Sequence, residues 1–169
     1  MANHILSVLV ENQAGALSKV TGLFSRRGFN IESLAVGITE KPEISRITIV
    51  VDGDERTVDQ VCKQLAKLIC VLTVMALDSE NSISRELVLI KVNAQKARRA
   101  EIIQIVDIFR AKIVDVSRNT LTIESTGDNV KIIALLDLLN EFGVLEVART
   151  GMVSLERGSD TINKQVERN

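Results

Sequence analysis

Ile5-Leu6-Ser7-Val8-Leu9-Val10 runs directly into Glu11-Asn12-Gln13-Ala14-Gly15-Ala16-Leu17, and the change of pattern between the two stretches decides the fold. The first stretch is a nearly continuous apolar run of strand length, as a central strand requires. The second breaks at Gly15 and opens a helical period, with Leu17, Val20, Leu23 and Phe24 on one face of a helix over 15–27. Arg26-Arg27-Gly28 closes that helix with positive charge and a glycine past its last turn. Working outward, residues 30–39 read as a second strand, and Glu40-Lys41-Pro42-Glu43 as a turn holding the only proline. In a third strand Ile47, Ile49 and Val51 alternate with Arg46, Thr48 and Val50, until Asp52-Gly53-Asp54 breaks it. Val58, Val61, Cys62, Leu65 and Leu68 mark an amphipathic helix over 55–69, and residues 71–77 a fourth strand. The order β-α-β-β-α-β is the ferredoxin-like split unit.

The same order then recurs. Residues 79–84 read as a linker, 87–92 as a strand, and 96–110 as a helix burying Ile102, Ile105, Val106 and Phe109. Strands at 113–116 and 121–124 flank the turn Ser117-Arg118-Asn119-Thr120. A helix over 128–141 and a strand over 144–149 complete the pattern, with Met152 to Leu155 expected to extend the edge. The expectation is an α+β chain of two tandem ferredoxin-like βαββαβ domains: residues 1–78, a linker at 79–84, and residues 85–158. Residues 159–169 read as a polar, frayed tail. Both helices of such a unit lie on one side of the sheet, which leaves the other face to be covered. Strand 31–36 mixes apolar and polar residues, so pairing with a second copy of the chain is expected.

Composition narrows the function. The chain has 169 residues, 46% of them hydrophobic and 25% charged, enough for real cores. A formal net charge of −1 provides no field for nucleic acid or anionic membranes. RNA-binding sheets of this plan stack bases on strand aromatics, and these strands carry none. No apolar run reaches the roughly 18–20 residues of a membrane span. Met1-Ala2-Asn3-His4 leads straight into a strand without the pattern of a signal peptide, so a cytoplasmic protein is expected. Cys62 and Cys70 have neither zinc nor redox spacing, and His4 is the single histidine. Scattered carboxylates form no acid–base pair, so no metal and no catalytic residue is expected.

The loop from Glu11 to Leu17 is the candidate site. A strand leads into a helix N-terminus, where unpaired N–H groups and partial positive charge suit a carboxylate. Gly15 has no side chain, so a ligand can approach the backbone of Gly15, Ala16 and Leu17. Asn12 carries an amide for either end of an amino acid, and Asn30, at the start of the next strand, is expected across the same cleft. Ile31, Leu34 and Val36 would line an apolar recess. The alternative is that Gly15 serves only the turn and Asn12 caps the helix. Gly22, in mid-helix, points to a close helix contact or to a tolerated cost of about 1 kcal/mol.

These residues carry a resemblance. The runs Ile5 to Asn12, Ala14-Gly15-Ala16-Leu17 and Gly22 to Leu34 resemble the small regulatory subunit of acetohydroxyacid (acetolactate) synthase. Ser45-Arg46-Ile47-Thr48-Ile49 and Glu146-Val147-Ala148-Arg149-Thr150-Gly151 are similar to that family too, so the match spans about residues 4–158. The resemblance implies that the first domain is an ACT domain, an amino-acid sensor that works as a dimer. It implies an effector site for valine (leucine or isoleucine less strongly) at Asn12, Gly15, Ala16, Leu17, Asn30 and Ile31. Ser18, Gly37 and Gln60 match positions tied to feedback sensitivity. The implied partner is a catalytic large subunit that holds thiamine diphosphate, magnesium and FAD, with no cofactor on this chain. Cys70 departs from the family's pattern, which bears on packing rather than on the site. An ACT-type sensor serving another enzyme is the alternative reading.

Overall fold

In the computed structural model, residues 2–163 are described. Two compact units divide the chain: residues 1–83 together with the segment from Met152 onward, and Ser84–Gly151.

The first unit contains β1 (Ala2–Glu11), α1 (Ala16–Arg27), β2 (Ile31–Ile38), β3 (Ile44–Gly53), α2 (Glu55–Leu65) and β4 (Val71–Leu77). Its strands lie in the order β2-β3-β1-β4 and every neighbouring pair is antiparallel. This is the ferredoxin-like arrangement expected from the sequence. The continuous apolar run of β1 has its explanation here, because β1 is central and Leu6 to Val10 are all buried. Leu6, Val8 and Val10 join Ile47, Ile49 and Val51 beneath Val20, Leu23 and Phe24 of α1 and Val58, Val61 and Leu65 of α2. Gly28 ends α1 in the left-handed region at φ 70°, and Phe29 N donates to Phe24 O at 3.1 Å. Asp54 starts α2 by accepting from Thr57 N at 2.8 Å.

The second unit contains most of β5 (Ser82–Asn93), then α3 (Arg99–Ile108), β6 (Lys112–Val116), β7 (Thr120–Gly127), α4 (Asn129–Asn140) and β8 (Val144–Arg149). The strand order β6-β7-β5-β8 repeats that of the first unit position for position. Val88, Ile90 and Val92 pack with Leu121 and Ile123 under Ile102, Val106, Ile132, Leu135 and Leu139. The repeat extends to the helix start: Asp128 accepts from Lys131 N at 2.9 Å, as Asp54 does from Thr57. A glycine precedes each of these caps. A Cβ at Gly53 would stand 2.9 Å from Thr57 Cγ2, and one at Gly127 2.6 Å from Lys131 Cδ.

Two details differ from the expectation, the linker and the tail. Ser82 already opens β5, so the chain between the last strand of one unit and the first of the next is shorter than 79–84. The edge expected at Met152 to Leu155 is present, since β9 (Val153–Glu156) pairs with β5, although the compact second unit stops at Gly151. The segment beyond it returns to the first unit: Met152 N donates to Ser33 Oγ at 2.9 Å and Arg157 N to Asn81 O at 2.8 Å. The short β9 (Val153–Glu156) lies in this segment. The tail expected to fray from 159 is held as far as it is described, with Ile162 buried and Asn163 Nδ2 donating to Glu40 Oε1 at 2.6 Å. Residues 164–169 of that expected tail lie outside the described residues. The sheet face opposite the helices was expected to need a cover, and Ser7, Leu9, Thr48 and Val50 on it are buried.

Candidate functional site

Three loops meet at the end of the first sheet where β1 stops. Glu11 N donates to Cys70 O at 2.9 Å, which ties the β1–α1 loop to the start of β4. Asn12 N donates to Glu43 O at 2.7 Å, and Asn12 Nδ2 to Pro42 O at 2.8 Å. Asn12 therefore does not cap α1; its side chain binds the β2–β3 turn. The turn around Pro42 is thus part of the site's frame, and the sequence reading had used it only as punctuation. The signal was available, since it is the one proline of the chain.

The start of α1 has no side-chain cap. Gly15 occupies the N-cap position at φ 86°, a conformation that disfavours any residue with a Cβ, and no atom lies within 4 Å of the place a Cβ would take. Ala16 N reaches back to Gln13 O at 3.2 Å, and the helical ladder begins with Lys19 N to Gly15 O at 3.0 Å. The N–H groups between them precede the ladder, at the positive end of the helix dipole. The result is an open, uncapped helix N-terminus that suits a carboxylate. Leu17 and Ser18 are exposed on the first turn. Leu17 keeps 39% of its surface in solvent and Val36, on β2, 47%.

Asn30 and Ile31 are elsewhere. Ile31 pairs with Val51, which pairs in turn with His4 near the start of β1. Glu11 is seven residues further along β1, about 23 Å at strand rise. Asn30 follows the C-cap of α1, so the 12 residues of that helix, about 18 Å, separate it from Gly15. The expectation that Asn30 faces Gly15 across one cleft fails within a single chain. The physical reason is the topology: β1 and β2 are parallel, so β2 starts at the end where β1 starts. Asn30 Nδ2 donates to Glu32 Oε1, and Ile31 and Leu34 pack on the core of the first unit instead of lining an open recess. Gly37 is exposed on β2 with open space at its Cβ position, and Gln60 is exposed on α2. Among the described residues a Cβ at Gly22 would meet only Arg26 Nη1, at 4.0 Å, so none of them needs that glycine for close packing.

β2 is an edge strand whose exposure rises towards its end, to 66% at Ile38. An unpaired, partly apolar edge is a template for another strand.

The Arg149-Thr150-Gly151 motif has a structural role. Arg149 Nη1 meets the buried Glu86 Oε1 at 3.3 Å, and Thr150 exchanges hydrogen bonds with Leu87. Gly151, at φ 85°, then turns the chain back. Burial pushes the Cys62 thiol above its ordinary range, with Asp59 adding to the shift, which agrees with a packing role. No group of three potential metal ligands is found among the described residues. No helix among them is long and apolar enough to cross a membrane.

Comparison with known proteins agrees with this geometry. Residues 6–73 match the family described as AHAS small subunit-like ACT domain, and residues 85–158 the family described as small subunit of acetolactate synthase. The chain is 53% identical over 156 residues to a probable acetolactate synthase small subunit of Archaeoglobus fulgidus, covering 92% of this chain and 98% of that one. It is 54% identical over 158 residues to the acetolactate synthase small subunit of Mycobacterium leprae, covering 94% of each. The crystal structure of the Thermotoga maritima acetolactate synthase small subunit superposes with a TM-score of 0.87 at 45% identity, over 95% of this chain and 100% of that one. With both halves matched in order along nearly its whole length, the chain belongs to the acetolactate synthase small-subunit family, with an ACT domain as its N-terminal part.

Proposed function

We propose that this chain is a non-catalytic regulatory subunit, which activates a thiamine-dependent catalytic subunit of acetolactate synthase and makes it responsive to valine. The observation that carries this reading is the uncapped N-terminus of α1 at Gly15. It offers backbone donors and positive potential to a carboxylate, with the apolar Leu17 exposed on the same helical turn. Thiamine diphosphate, magnesium and FAD would sit on the catalytic subunit, where the chemistry occurs.

The effector site in this reading is shared between two copies. A twofold axis beside β2 sets the two edge strands antiparallel. The start of one β2 then lies against the end of the other, so Asn30 and Ile31 of the second copy approach Gly15 of the first. The separation of these residues within one chain is what supports a dimeric site. Valine bound between two copies stabilises one arrangement of the dimer over another, and a coupling of about 1–3 kcal/mol gives several-fold to hundred-fold control.

Holoenzyme reconstituted with Gly15→Asp tests the assignment. Aspartate strains the left-handed position and brings negative charge to the carboxylate site. Activation of the catalytic subunit should persist while valine inhibition is lost. Normal inhibition in that variant contradicts the site, and acetolactate formation by the small chain alone contradicts the non-catalytic reading. A sensor serving another enzyme would bind valine without raising acetolactate synthase activity.

A further inference from the structure

Within the first unit, the β2–β3 turn is held from two sides. On one side Asn12 fastens the loop before Gly15 to it, through Glu43 O and Pro42 O. On the other, Glu40 Oε1 accepts from Asn163 Nδ2 at 2.6 Å. The turn between these two ties is closed on itself. Thr39 N donates to Ile44 O at 3.0 Å, Ile44 N to Lys41 O at 2.9 Å and Lys41 N to Thr39 Oγ1 at 3.2 Å. A turn so bonded moves as one piece, so a pull at Glu40 reaches Asn12.

The segment that carries Asn163 lies on the sheet face opposite the helices. Its first tie is to Ser33, which pairs with the buried Val50 of that face. Its strand β9 lies against β4, and Asn163 brings it back to the turn after β2. β2 and β4 are the two edges of the sheet, so the segment crosses the face and returns. On the same face Ser7 Oγ, Arg46 Nε and Asp52 Oδ1 are buried with no hydrogen-bond partner among the described residues. Each has lost water without gaining a partner, which opposes closure of the cover. A segment closed against such a cost is loosened by a small free energy, as a responsive element must be.

We propose that Asn163 and Glu40 are positioning residues for the effector site: the C-terminal segment, closed across the sheet, holds the β2–β3 turn and through Asn12 keeps the loop at Gly15 ready for a carboxylate. This rests on the reading of that loop as an amino-acid site. A loop held in its bound form binds more tightly, because the ligand does not have to order it. Linkage makes the effect reciprocal: valine, binding the braced loop better than the loose one, tightens the segment.

The full-length chain is titrated with valine by calorimetry as wild type, Asn163→Ala, Glu40→Ala and the double variant. Amide hydrogen exchange of the wild type is followed with and without saturating valine. The far-UV spectrum and the sedimenting mass check that each variant is folded and assembled as wild type. Asn163→Ala, which alters no charge, should weaken valine binding about threefold or more. The same substitution made in the Glu40→Ala chain should change nothing further, since the bond is already gone. In the wild type, valine should slow exchange at Arg157, whose N–H is bonded to Asn81 O within the segment. Unchanged affinity in Asn163→Ala overturns the brace. So does an equal loss in the Glu40→Ala background, or exchange at Arg157 that is indifferent to valine. A wild-type chain that binds no valine overturns the effector-site reading itself, a result told apart because it needs no variant.

Discussion

Gly15 and Asn30 stand at opposite ends of α1, separated by the length of that 12-residue helix, about 18 Å. Both lie in the stretch that identifies the family. A free amino acid is far shorter than this separation. The two residues can therefore serve one small ligand only if they come from different chains.

A first consequence concerns α1 itself. Gly22 meets no neighbour closer than 4.0 Å at its Cβ position, so Gly22→Ala should stabilise the isolated chain by about 0.5–1 kcal/mol through helix propensity. Thermal unfolding checks this. A lower melting temperature would show that the glycine serves a close contact which the single chain does not reveal.

The repeated aspartate caps carry the starts of α2 and α4. Replacing Asp128 by Ala removes the acceptor of Lys131 N and should cost about 1 kcal/mol, readable as a lower midpoint in denaturant at unchanged slope. Asp128→Asn should recover most of it. Equal midpoints for all three proteins would dismiss the cap.

Asp54 makes its cap titratable. Its carboxyl is held below the ordinary value, first by the side-chain hydrogen bond with Thr57 and then by backbone hydrogen bonding. A carboxyl depressed on folding adds stability above its unfolded pKa, and that stability is lost as pH falls through the folded value. Stability measured from pH 6 down to pH 3 should fall less steeply in Asp54→Asn than in wild type. Parallel curves would refute the linkage.

Arg149 is expected to act on stability alone. Arg149→Met leaves Glu86, 6% exposed, without its ion-pair partner, at a cost of about 2 kcal/mol. Glu86→Gln in the same chain should recover part of the loss. Additive losses from the two substitutions would contradict the pairing.

Much of this was legible in the residues. Periodicity placed the helices and strands of both units, because each element repeats apolar residues at its own spacing, and breaks such as those at Gly15, Gly28, Pro42, Asp54 and Asp128 carry turn or capping residues. Gly15 was legible as the break between β1 and α1, because few residues other than glycine adopt φ 86° at a helix start. The edge at Met152 to Leu155 was legible, but the hydrogen bonds that tie residues 152–163 back to the first unit were not. That segment is short and largely polar, and it is held by hydrogen bonds to Ser33, Asn81 and Glu40, which leave no periodic pattern. The place of Asn30 was contained in the topology, since two strands joined through one helix in a split unit run parallel. Nearness along the sequence concealed it.

The shared site is tested most directly by mixing two defective chains. In a dimer built from a Gly15→Asp chain and an Asn30→Ala chain, one site inherits both defects and the other inherits neither. Calorimetric titration with valine should show no binding to either homodimer, and in the doubly tagged heterodimer it should show one site of wild-type affinity per two chains. A heterodimer that binds no valine, while the wild-type dimer does, would place Gly15 and Asn30 in the same site of one chain and contradict the account.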